Sequence, residues 1–139
     1  MAYWLFKSEP GTWSWDQQQA KGKTGEEWTG VRNPQARNNM LAMRKGDLGF
    51  FYHSGADKAI VGIVEVSAEA HPDSTDKSGR WHCVDIRALR PLAKPITMAM
   101  VKTEPRLKNM VLVRNSRLSV QPVQPNEWRL ICRMGGVAP

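Results

Sequence analysis

Apolar residues along the chain fall in short clusters whose period changes from two to about three and a half and back. Residues Tyr3 to Lys7 read as a strand, ended where Glu9-Pro10-Gly11 forces a turn. Ser14-Trp15-Asp16-Gln17 fits a capping box opening a short helix to about Ala20, and Gly22 and Gly25 punctuate the loop after it. The next helix has the clearest boundaries. Asn33 caps it, Pro34 suits its first turn, Ala36, Met40 and Met43 recur on one side, and Arg44-Lys45-Gly46 closes it. Two strands follow, Leu48 to His53 and Ala59 to Val66, joined across the turn residues Ser54-Gly55-Ala56-Asp57. From Trp81 to Ala88, Val84, Ile86 and Ala88 alternate with Asp85 and Arg87, the mark of a half-buried strand.

The last third is less regular. Residues 91 to 110 carry three prolines and a helical patch at Thr97 to Lys102, and Arg117 to Val120 is strand-like. Trp128, Ile131 and Cys132 share one helical face between Pro125 and Gly135-Gly136, which predicts a terminal amphipathic helix. Strands interleaved irregularly with short helices predict an α+β fold, a curved antiparallel sheet flanked by helices, in a single domain spanning residues 1–139.

Composition narrows the class. With 41% apolar and 24% charged residues the chain is of ordinary globular type, and its 139 residues are enough to bury a core without metal or disulfide staples. A lysine and a glutamate interrupt the apolar start, so secretion is not expected; Cys83 and Cys132 read as buried thiols in a reducing, cytoplasmic setting. The formal charge of +7 favours a polyanionic partner such as nucleic acid, and nothing points to a membrane. No Gly-rich phosphate loop, nucleophile elbow or paired Cys and His at metal spacing is present, so neither a cofactor nor a metal is expected. His82-Cys83 is an adjacent pair that a strand would point to opposite faces. A catalytic group would have to be assembled by folding, from Ser8-Glu9, His53-Ser54 and Asp73.

Polar and aromatic residues instead gather at the ends of predicted elements: Lys7-Ser8, Trp28 to Asn33, and Phe51 to Ser54. Aromatic faces at such positions can stack a flat ring while amides and hydroxyls pair with its edge. Trp4, Trp13, Trp15, Trp81 and Trp128 are expected in the core, with Trp28 the exception because it sits in a Gly-flanked loop before a capped helix.

The strings YWLFKSEP, WTGVRNPQARNNMLAMRKGDLGFFYHS, IVGIVEVSAEAHPDSTD and RLSVQPV run in order through nearly the whole chain and resemble the EVE domain family of the PUA-like superfamily. The resemblance implies a curved, barrel-like sheet with short flanking helices, and kinship to YTH domains, which hold a methylated adenine in an aromatic cage. It implies a base pocket with Trp28 as wall, Lys7, Ser8, Gly30, Val31 and Asn33 around it, and Phe51, His53 and Ser54 as floor and rim. Arg32, Arg37 and Asn38 would face the phosphate backbone. His71 stands where the family commonly has tyrosine, in EAHPD; as a second wall it would stack more weakly and with a dependence on pH.

The function so implied is non-catalytic: a monomeric reader of a modified base, 5-methyl- or 5-hydroxymethylcytosine first, in DNA or RNA. Two other classes stay open. One is an enzyme acting on a nucleotide or modified base through Ser8, Glu9 and His53; the other is a small-molecule or protein-interaction module using the same pocket.

Overall fold

The computed structural model describes residues 1–139. Six strands, β1 (Tyr3–Ser8), β2 (Glu26–Glu27), β3 (Leu48–His53), β4 (Ala59–Pro72), β5 (His82–Thr97) and β6 (Val120–Val123), form one sheet in the order β2-β5-β4-β3-β1-β6. Five short helices flank it: α1 (Trp15–Ala20), α2 (Pro34–Ala42), α3 (Met98–Thr103), α4 (Val111–Arg114) and α5 (Pro125–Met134). The α+β class follows. The sheet is mixed rather than wholly antiparallel, because β1 pairs in parallel with β3; the intervening α1, β2 and α2 form the crossover.

β1 and β3 lie in the middle of the sheet and are buried on both sides, so strict alternation assigns their side chains to two cores. Leu5, Phe50 and Tyr52 face one, closed by α3, α4 and α5; Trp4, Phe6 and Phe51 face the other, closed by α1 and α2. In the first core Trp128 of α5 lies flat between Tyr3 and Phe50, with ring centroids 4.5 and 4.1 Å away. Each fully buried side chain of this size contributes on the order of 1.5–3 kcal/mol. β4 and β5 run past their expected ends. Their pairing shifts register repeatedly, and these irregularities let Pro91 sit inside β5 opposite Gly62, where an unbroken ladder would have demanded its missing N–H. The strand-like run at Arg117 to Val120 is displaced, with β6 starting at Val120.

Capping geometry agrees with the sequence at both early helices. Ser14 and Gln17 form the capping box of α1, and the Asn33 side chain accepts the Ala36 N–H at 2.9 Å. α2 nevertheless stops at Ala42, short of the Arg44-Lys45-Gly46 end that the sequence suggested. The reason is Asp47. Its buried carboxylate accepts the Arg44 N–H at 3.0 Å and the Trp4 indole N–H at 3.0 Å, drawing the chain out of the helix and into β3. α2 packs against both β5 and β6 and so spans the concave side of the sheet, where Asn39 donates to the Val120 carbonyl at 2.8 Å.

Replacing Asp47 with alanine removes the acceptor of three donors; the exposed Ala2 N–H turns to water, while the Arg44 N–H and the indole of buried Trp4 are stranded. Asp47→Ala should therefore lower unfolding free energy by about 2–4 kcal/mol, roughly two unsatisfied groups, read as a shift of the urea midpoint with unchanged slope.

Candidate functional site

A cavity of about 680 Å³ opens where β1 ends. That volume is within the range of small-ligand pockets and accommodates a nucleoside. Lys7, Ser8 and Glu9 supply one side, Thr12 and Trp13 a second, and the segment Glu26 to Arg32 a third, with Ser74 and Ser119 at the margin. Trp13, Trp28 and Val31 are its apolar surfaces.

Trp28 is held from behind. Its ring meets Phe6 at 5.5 Å and Phe51 at 5.7 Å, both nearly edge-on, and only 7% of the residue stays exposed. It is a core residue with one surface on the cavity, not the exception to burial that its loop setting suggested. The half-buried tryptophans are Trp13 and Trp81. Trp13 is fixed by a relay: its indole N–H donates to Gln18 Oε1 at 2.9 Å, and the buried Gln18 amide donates to the Ile86 carbonyl at 3.1 Å. A second indole wall is thus set in place by α1.

Asp73 organises the rim. Almost completely buried, its carboxylate accepts the Gly30 N–H at 2.9 Å, Arg32 Nη1 at 3.2 Å, and both the N–H and hydroxyl of Thr75 at 2.7 and 2.6 Å. Burial opposes its charge, but the bonds from Thr75, Gly30 and Arg32 together hold the carboxyl below its ordinary range. Gly30 takes φ +84°, a conformation that favours glycine at this turn. Arg32 and Arg37 both stand over the Trp81 ring, their guanidinium carbons 5.7 and 5.1 Å from its centroid. Lys7 bonds to the Ser116 carbonyl, and burial pulls its ammonium below the usual lysine range.

Of the residues expected at the pocket, Lys7, Ser8, Trp28, Gly30, Val31 and Arg32 line the cavity together. The others do not line it. Asn33 is spent on capping α2, while Arg37 and the exposed Asn38 lie on that helix outside the cavity lining. Phe51 is fully buried behind Trp28, so it backs the wall rather than forming a floor. His53 accepts the Trp15 N–H at 3.0 Å through Nε2 and meets Asp57 through Nδ1, and Ser54 N–H donates to the Ser8 carbonyl. His71 is not a second wall. Its Nε2 bonds Asp85 at 2.7 Å and its Nδ1 bonds the Pro72 carbonyl at 3.0 Å; the Asp85 bond, outweighing burial, raises its pKa. The sequence reading missed Trp13, Glu26 and Glu27 at the cavity. Trp13 had the same signal as Trp28, a position just after a glycine turn and just before a helix cap.

The fold and site define a PUA-like α+β domain with one large, indole-walled cavity beside a basic rim. The chain belongs to the EVE domain family, whose model matches residues 2–134. Human thymocyte nuclear protein 1 is 33% identical over 94% of this chain and 72% of its own. A protein of Agrobacterium tumefaciens has a solved structure with TM-score 0.97 and 58% identity, covering 99% of this chain and 95% of that one. The human THYN1 protein, solved in complex with DNA containing 5-methylcytosine, superposes with TM-score 0.91 at 33% identity over 100% of both chains. A YTH domain of Zygosaccharomyces rouxii, solved with N6-methyladenosine RNA, shares the fold at TM-score 0.59 and 17% identity, covering 99% of this chain and 88% of that one.

Because the folded Asp73 carboxyl titrates below its unfolded value, its stabilisation is complete above about pH 4 and is lost as pH falls toward the folded pKa. Asp73→Asn should lower stability at neutral pH and flatten the acid limb of a thermal-melt pH profile below about pH 4. An unchanged acid limb would assign that limb to other carboxylates.

Proposed function

We propose that this chain binds DNA carrying a modified cytosine, 5-methylcytosine first, with the base turned out of the strand into the cavity beside Trp13 and Trp28. The observation that carries this reading is a nucleoside-sized cavity with two indoles next to the arginines at Trp81, in a chain superposing along its whole length on a relative solved with 5-methylcytosine DNA. Turning out a base costs a few kcal/mol, and stacking on an aromatic side chain returns about 1–3 kcal/mol. The phosphate contacts of a +7 protein supply the remainder without reading sequence.

An enzyme built on Ser8, Glu9 and His53 finds less support. Ser8 and His53 are register partners on parallel strands, yet the Ser8 hydroxyl donates to the Trp13 carbonyl, while His53 accepts the Trp15 N–H through Nε2 and meets Asp57 through Nδ1. No proton path joins them in this arrangement.

Titration of the protein with otherwise identical DNA strands holding cytosine or 5-methylcytosine, at one salt concentration, tests the reading. A preference of roughly 5- to 150-fold for the methylated strand is expected, the worth of one methyl group in an apolar pocket. Equal affinity, or preference only for a modified RNA, would overturn it.

Two variants separate wall from core. Trp13→Ala, at a half-exposed site, should lose about 1–3 kcal/mol of binding with little change in unfolding midpoint. Trp28→Ala should lose binding and also about 3–5 kcal/mol of stability, since it leaves a cavity against Phe6 and Phe51.

Affinity from the rim has its own signature. Arg37→Ala should weaken methylated and unmethylated strands alike and reduce the slope of log affinity against log salt by about one. A change confined to the methylated strand would move Arg37 from the backbone to the base.

A further inference from the structure

Beside the cavity, three adjacent strands bring together a cluster of metal-ligating types that shares only Glu27 with the cavity lining. Glu27 on β2, Cys83 on β5 and His71 on β4 each offer a ligand atom, and the three atoms lie within 4.8 Å of one another. Sheet register produces this cluster: Glu27 is the partner of Asp85 and His71 is the partner of Cys83, while Cys83 and Asp85 are two apart on β5 and so share a face. From these residues we infer a site for a divalent transition ion of the zinc type, held by the Glu27 carboxylate, His71 Nδ1 and the Cys83 thiolate.

The donor set is the argument for the metal class. One sulfur, one imidazole nitrogen and one carboxylate oxygen suit zinc or cobalt, whereas magnesium and calcium take oxygen alone. Asp85 supplies the outer contact such sites need. Its Oδ1 is 2.7 Å from His71 Nε2, which fixes that nitrogen as the donor and leaves Nδ1, 3.8 Å from a Glu27 oxygen, as the ring atom that would take the ion once its bond to the Pro72 carbonyl is released, with Asp85 in the place carboxylates hold behind zinc-ligating histidines. Three carboxylates, Glu27, Asp85 and Asp73, surround the fully buried Cys83 and favour a cation; Arg32, the opposing charge, is already tied to Asp73.

Without an ion the thiol stays protonated, since burial and then those carboxylates push it up to about 12. Binding displaces that proton as the sulfur–metal bond forms, and it displaces the Nδ1 proton that otherwise faces the Pro72 carbonyl. Tetrahedral ligand atoms stand roughly 3.3–3.6 Å apart at zinc bond lengths. The cluster must therefore contract by up to about an ångström, and Glu27 and His71, whose side chains are 34% and 33% exposed, have room to turn. Three protein ligands leave a fourth position, and Glu27 also lines the cavity.

Cobalt(II) titration of the full chain, chelator-treated and reduced, tests the site. One equivalent should bind and produce a thiolate-to-cobalt charge-transfer band in the near ultraviolet, displaced by added zinc. Cys83→Ser should abolish the band, His71→Tyr should weaken binding at least about tenfold, and Asp85→Asn should weaken it about 10- to 100-fold while keeping the band. His71 is only partly buried, so its variant stays informative should Cys83→Ser fold poorly; near-ultraviolet circular dichroism checks each. Absence of the band in the unaltered chain, or affinity indifferent to His71→Tyr, overturns the assignment.

Discussion

The contact on which the site depends is the meeting of Phe6, Phe51 and Trp28. Phe6 and Phe51 are register partners on the parallel pair β1 and β3, and both are completely buried. Their edges fix the indole of Trp28, which reaches them from the loop between β2 and α2. The cavity wall is therefore the outer surface of the second core, positioned by strands and not by loop conformation. A ligand entering it meets a surface whose ordering was already accomplished by folding, so little of the stacking energy is lost to fixing side chains.

Charge is distributed in a complementary way. The chain carries +7 overall, yet Glu9, Glu26 and Glu27 line the cavity together with Lys7 and Arg32; Arg32 and Arg37 both reach the Trp81 ring, and of the two only Arg37 stands outside the cavity. Glu26 is paired with Lys21 at 3.3 Å, and Glu27 accepts the Ser74 hydroxyl at 3.0 Å. On the proposed reading, an anionic backbone is drawn to the arginines at Trp81, while a base edge with an exocyclic amine meets carboxylate acceptors inside the cavity. Asp73 connects the two regions, because the same carboxylate holds Gly30 of the wall and Arg32 of the rim.

Local signals in the chain were read well wherever a short-range rule governs. The Ser14 and Asn33 caps, the Ser54 to Asp57 turn and the α5 face depend on residues a few positions apart, and all appear in the fold. Features set by distant partners were not legible. The parallel pairing of β1 with β3 has no local signature, and Asp47 ends α2 through bonds that include Trp4, forty-three residues away. At the site, Lys7, Ser8 and the Trp28 to Arg32 segment could be named from motifs, but burial could not. Phe51 and His53 lie two residues apart at the end of β3, a stretch rich in aromatic and polar types, and only the packing shows that one backs Trp28 and the other caps α1.

On the proposed reading, selectivity and affinity fall to different parts of this molecule, and that separation limits what each can do. A methyl group added to a base gains only about 1–3 kcal/mol in an apolar pocket, and the indoles stack any base with similar strength. The rim neutralises phosphate whatever the base. A tighter rim therefore raises occupancy on every sequence without sharpening the choice, and a better wall sharpens the choice only by the energy of one small contact. Because Trp28 is fixed by Phe6 and Phe51, the wall cannot be enlarged without repacking the core behind it. Finer discrimination must come from the less constrained side of the cavity, where Trp13 is held by a hydrogen-bond relay through Gln18 and not by close packing.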